Sequence, residues 1–169
     1  HRDLHSFPTR RSSDLVQAIT ASDGGFEAGT SSFAANGWTS VLPGVARQWQ
    51  VGTIAGSVTG GTKSAYVGAA ANYNGTAAVQ VGHFYRDITI PAGATSVTLN
   101  FSLRMPTVDN TYDYIRVYTT TTANTPVSGT APGAGYTLRF ENTATTYANF
   151  TAMTPIDLTS LAGTTVRLV

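Results

Sequence analysis

The chain of 169 residues contains no cysteine, so disulfides, thiolate zinc sites and cysteine nucleophiles are all excluded. Charge is also scarce: Asp, Glu, Lys and Arg together make up 11% of the residues. No apolar run approaches the roughly 20 residues of a membrane-spanning helix, which argues against membrane insertion by a helix. Of the three histidines, His1 and His5 lie in the first fifteen positions, and the remainder of the chain carries His83 alone. A lone imidazole in "GHFYRDITI" makes no catalytic triad. There is also no G-x-S-x-G elbow and no H-E-x-x-H pair, and in "GTIAGSVTGGTKS" the residues Gly60, Gly61 and Lys63 lack both the spacing of a phosphate loop and a following helix. Two carboxylates facing across a cleft would be needed for glycoside hydrolysis. Spacing alone does not pair any of Asp23, Glu27, Asp87, Asp109, Asp113, Glu141 and Asp157.

The first fifteen residues differ in composition from the rest of the chain. "HSFPTRRSSDL", His5 to Leu15, reads as the in-frame translation of a short-read sequencing adapter, so residues 1–15 are expected to be non-native and disordered, and residues 16–169 to form one domain. Setting Arg2, Arg10, Arg11, Asp3 and Asp14 aside leaves seven basic and seven acidic residues. A neutral chain offers no phosphate-neutralising surface, which argues against nucleic acid as a partner. About 150 residues can bury roughly 70% of their unfolded surface without staples.

What the chain does have is alternation. In "SVTLNFSLRM" the residues Val97, Leu99, Phe101 and Leu103 alternate with Ser96, Thr98, Asn100 and Ser102, one set on each face of a half-buried strand. Upstream, "DITIPAGATS" alternates Ile88 and Ile90 before Pro91 and Gly93, which predicts a hairpin. Further strands read from "GWTSVL", "RQWQVGTI", "KSAYVGA", "YDYIRVYT", "YTLRFE", "NFTAMTPIDL" and "TTVRLV". No window sustains helical periodicity, so helices should be a turn or two at most. Nine or so short strands predict an all-β fold, a two-sheet antiparallel jelly-roll-like sandwich. "TTVRLV" stops in mid-pattern, which predicts a C-terminally truncated domain lacking its last strand, although a boundary drawn at that point would look the same.

The strings "SDGGFEAGTSSFAANGWTSV", "QWQVG", "SAYVG", "HFYRDITIPAGATSVTLNF", "YDYIRVY" and "LAGTTVRLV" resemble a secreted Bacteroidota β-sandwich module of large multidomain surface proteins, similar to cleaved-adhesin and MAM-like jelly rolls. The resemblance covers nearly everything after Leu15. It implies a non-catalytic adhesion or glycan-binding module, secreted or at the cell surface, with a glycan or cell-surface protein as partner and neighbouring domains on the same polypeptide. A structural spacer without its own ligand is the alternative, and part of a carbohydrate-active or other hydrolase is a third.

Two features suit binding. In "TYDYIRVYT", Ile115 and Val117 take the core face by parity, which turns Tyr112, Tyr114, Arg116 and Tyr118 outward as an aromatic and guanidinium strip. Sugars stack on such rings, although cross-strand tyrosines also stabilise ordinary sheets. In "ASDGGFEAG", Asp23 and Glu27 flank two glycines and offer the hard oxygen ligands of a structural calcium site, the plain alternative being a polar turn. The resemblance implies calcium near this Phe-Glu pair, completed by an acid from a closing strand. Arg86 shares the inward parity of Phe84, Ile88 and Ile90, so either a bulge turns it outward or it pairs with a carboxylate such as Glu27 or Asp113.

Overall fold

The computed structural model describes residues 17–44, 48–53, 55, 61–68 and 80–169; the adapter-like segment at 1–15 and part of the glycine-rich stretch, Gly60 included, lie outside them. A one-turn helix, α1 (Ala21–Gly24), and a 3₁₀ turn at Ala34–Asn36 precede eleven strands. These are β1 (Thr39–Val41), β2 (Trp49–Gly52), β3 (Ser64–Val67), β4 (His83–Thr89), β5 (Thr98–Leu99), β6 (Ser102–Met105), β7 (Ile115–Thr121), β8 (Thr137–Asn142), β9 (Tyr147–Ala152), β10 (Ile156–Asp157) and β11 (Thr165–Leu168). The fold is all-β and sandwich-like. One layer is a five-stranded antiparallel sheet in the order β1-β4-β11-β7-β8, and against it lie three two-stranded ribbons, β2-β3, β5-β10 and β6-β9.

Each predicted strand is present, but two of them are split. The parity read from 96–105 holds, with Leu99 and Leu103 turned inward and Thr98 and Arg104 outward, yet the ladder breaks between β5 and β6. Opposite the break stands Pro155, which has no N–H to give, while the Met153 amide still donates to Phe101 O at 3.0 Å. The two ribbons are therefore one interrupted ladder.

The hairpin expected at "DITIPAGATS" does not form. β4 pairs with β1 and β11, whereas β5 pairs with β10, so the Pro91–Ser96 turn carries the chain from one layer to the other. The end of β4 is already taken: Ile90 N donates to Thr164 O at 2.9 Å, and Gly163 N donates back to Ile90 O at 3.0 Å.

Between the layers lie two apolar clusters. The larger gathers Phe26, Phe33, Trp38, Val51 and Leu168, with Trp49, Phe84, Ile88, Leu99 and Val117 around them. Phe84 is its hub, with ring centroids 4.8 Å from Phe33, 5.1 Å from Trp49, 5.2 Å from Trp38 and 6.0 Å from Phe26. Most of these contacts are edge-on, which suits the quadrupoles of the rings. The smaller cluster joins Leu103 and Met105 of β6 to Met153, Ile115 and Phe140.

Phe26 enters the larger cluster at a cost, because its φ of 59° is left-handed for a residue with a Cβ. That turn sends the ring inward and leaves Glu27 at the surface.

Candidate functional site

The tyrosine strip starts in the loop before β7. Asp109 closes that loop by accepting from Thr111 N at 2.9 Å, and Asp113 Oδ2 accepts from Asp109 N at 2.9 Å. Tyr112 leaves this turn 62% exposed and Tyr114 47% exposed. The Tyr114 hydroxyl donates to Thr111 O at 2.7 Å, and the Arg116 guanidinium lies over its ring, 4.6 Å from the centroid. Arg116 Nε is also paired with Glu141, its cross-strand neighbour on β8. Burial lowers the guanidinium's affinity for its proton, but the hydrogen bonds and charges of Glu141 and Tyr118 more than offset this, so its pKa rises above the ordinary value. The result is a surface of one exposed ring, one ring pinned at its hydroxyl, and a paired cation.

Tyr118 does not belong to that exposed strip. It has the outward parity expected of it, yet it is only 8% exposed and meets Tyr136 edge-on at 6.2 Å. The reason is a covering loop, the β7–β8 connection at 122–136, which folds back over the outer face of the sheet. Thr120 Oγ1 donates to Gly135 O at 2.6 Å, and His83 Nε2 lies 3.1 Å from Val127 O and 2.9 Å from Thr130 O. Arg167 donates from Nε and Nη2 to the two carboxylate oxygens of Asp87 at 2.7 and 2.9 Å, and from Nη1 to Asn124 O and Thr125 Oγ1. Its guanidinium stacks 4.2 Å above the Tyr85 ring. The sequence pattern did not single out this buried cation. Its signal was present in "TTVRLV", where an arginine on a strand of valines and leucines has to find a carboxylate. Pro126, Val127, Pro132 and Tyr136 of the same loop line a shallow cleft.

Asp23 and Glu27 each hold the chain together at a different place. Asp23 Oδ2 accepts from Arg86 Nη1 at 2.9 Å, so inward-facing Arg86 does pair with a carboxylate, but with Asp23 rather than Glu27 or Asp113. Arg86 Nη1 also reaches Asn36 O at 3.3 Å, and a Cβ on Gly37 (φ 73°) would come within 3.0 Å of that nitrogen. Asn36, fully buried, ties the segment to itself: its Oδ1 accepts from Ala28 N and its Nδ2 donates to Ser32 O. Glu27 Oε1 accepts from Thr62 N and Lys63 N, both at 2.7 Å. Its side chain passes so close to Gly61 that a Cβ there would collide with it. Among the described residues no group of three or more His, Asp and Glu gathers where a cation could sit.

All seven Asp and Glu side chains among the described residues are thus engaged. Asp23, Asp87 and Glu141 are paired with arginines, and Glu27, Asp109, Asp113 and Asp157 accept from backbone N–H groups. Three have pKa values below the usual range: Asp87 through its hydrogen bonds from Arg167, Glu27 chiefly through the Lys63 amide, and Asp157 through Thr159. Such groups are more acidic in the folded than in the unfolded chain, so the unfolded chain binds protons first as the pH falls. Their stabilisation is complete above the ordinary carboxylate pKa of about 4 and is lost as pH drops through the folded values. The melting temperature is therefore expected to be level from about pH 7 to about pH 5 and to fall below about pH 4. Asp87→Asn should flatten that fall, and a profile unchanged down to about pH 2 refutes the assignment.

Comparison of the chain with protein-family models, with curated proteins and with solved structures finds no match.

Proposed function

We propose that the chain is a non-catalytic binding module of a secreted or cell-surface protein, and that the surface formed by Tyr112, Tyr114 and Arg116 takes a glycan. The observation that carries this reading is the exposure of two tyrosine rings, one of them held from below by a paired guanidinium and at its hydroxyl by Thr111 O. An exposed aromatic ring already fixed in position gives up little conformational freedom on binding, and its face suits the C–H surface of a pyranose. Three of the carboxylates, Glu27, Asp87 and Asp157, support the non-catalytic part. A general acid needs a raised pKa, whereas those of Glu27, Asp87 and Asp157 are lowered.

The test is affinity electrophoresis in gels cast with soluble polysaccharides. At on the order of 1 kcal/mol per ring, the Tyr112→Ala/Tyr114→Ala variant is expected to bind about thirtyfold more weakly. Its melting temperature should stay within about 3 °C of the parent, because both rings are at the surface. A double variant retarded as strongly as the parent removes this surface from consideration.

A spacer role is the second reading, and the burial of Tyr118 favours it, since the strip is shorter than its sequence suggests. A parent chain that no polysaccharide retards leaves that reading standing.

A further inference from the structure

Resting on the glycan reading, we infer that this surface takes an extended, β-linked glycan chain along its length, across several sugar units, rather than a single terminal sugar. The exposed side chains form a lane on the outer face of β7 and β8. Tyr112 and Tyr114 stand at its head. Next comes the cross-strand pair of Arg116 and Glu141, with side chains 31% and 37% exposed. Where the covering loop lies over Tyr118, the lane continues on the residue directly opposite, Leu138, which shares that face and is 47% exposed.

The dimensions suit a chain. From Tyr114 to the level of Tyr118 the strand rises about 13 Å, and with Tyr112 ahead of it the lane accommodates roughly three pyranose rings in a row. Outward-facing residues recur about every 6.6 Å along a strand, close to the length of one sugar unit, so a chain that follows the strand axis meets each of them in turn. The tyrosine rings and Leu138 offer apolar contact to C–H faces, while between them a guanidinium donates to hydroxyls and a carboxylate accepts from them. A β-linked chain is a flat ribbon that keeps these contacts over its whole length. An α-linked chain coils and leaves the lane after its first ring or two.

Affinity electrophoresis again provides the test, with glucomannan and hydroxyethylcellulose as extended β-linked polymers and glycogen and pullulan as coiled α-linked ones. Expected is retardation by at least one β-linked polymer, about tenfold stronger than by either α-linked one, because a coiled chain forgoes the contacts beyond its first rings. Mannohexaose or cellohexaose, whichever matches the retarding backbone, should displace it at about tenfold lower concentration than the corresponding disaccharide. Leu138→Ser, with a melting temperature within about 3 °C of the parent, should weaken retardation about threefold. Retardation by glycogen or pullulan equal to or greater than that by the β-linked polymers, equal displacement by disaccharide and hexasaccharide, or a Leu138→Ser variant retarded like the parent overturns this inference and leaves glycan binding intact. Retardation by none of the four overturns the glycan reading together with it.

Discussion

Replacing Phe84 by alanine is expected to cost about 4 kcal/mol, the largest loss of any single substitution on the inner face of the sheet. Four aromatic rings, Phe26, Phe33, Trp38 and Trp49, converge on this one side chain from the N-terminal segment and from β2. Its removal strips a neighbour from every one of them. The surrounding rings cannot collapse into the space, because Trp38 Nε1 is bound to Asp23 O and Trp49 Nε1 to Gly82 O. For a domain of this size the melting temperature should fall by about 12 °C, and Phe84→Leu, which keeps most of the volume, should lose about half as much. Thermal denaturation of the two variants checks this. A loss below about 1 kcal/mol for Phe84→Ala would show that the aromatic cluster does not organise the core.

Arg167→Met should come next, at about 3 kcal/mol, for a different reason. Methionine fills much of the same space, so the loss is electrostatic: Asp87 keeps its charge with its cation gone, and the carbonyl of Asn124 loses its donor. Asp87 is partly solvated, with 39% of its side chain exposed, which keeps the cost at the lower end of the range for buried pairs. The double variant Arg167→Met/Asp87→Asn should recover part of the loss, since it removes both charges together.

The same substitution frees the loop over the outer face. Elastase, which cuts after small residues such as Val127 and Ala131, should cleave within 122–136 faster in Arg167→Met than in the parent. Equal cleavage rates would show that the loop is held by other contacts.

Much of the architecture was legible because alternation is a local property. The inward parity of Phe84, Arg86 and Ile88, the split faces of 96–105 and the shortness of the helices all follow from residues close in sequence. Partners were harder to read. Arg86, if turned inward, needed a carboxylate, but that carboxylate is 63 residues away in α1, and no spacing rule reaches so far. The turn at Pro91–Ser96 has the chemistry of a hairpin and serves as a crossover, because β11, from the far end of the chain, occupies the place beside β4. Tyr118 shows the limit most plainly. Parity assigns a side chain to a face of a sheet, but not what lies over that face, and here a loop anchored by Arg167, Thr120 and His83 covers it.

The place of β11 has a mechanical consequence. It runs antiparallel to both neighbours, with Val166, Arg167 and Leu168 facing residues of β4 on one side and of β7 on the other, and Val169 exchanging hydrogen bonds with Tyr118 in both directions. A load applied to the chain at Val169 acts along the strand axis, so the bonds on both flanks resist in parallel and must be sheared together, with the Arg167–Asp87 clamp across one seam. Pulled from that end, the domain should give way in a single abrupt event whose force follows its unfolding rate rather than its equilibrium stability. A domain built in this way holds its length under tension until it fails.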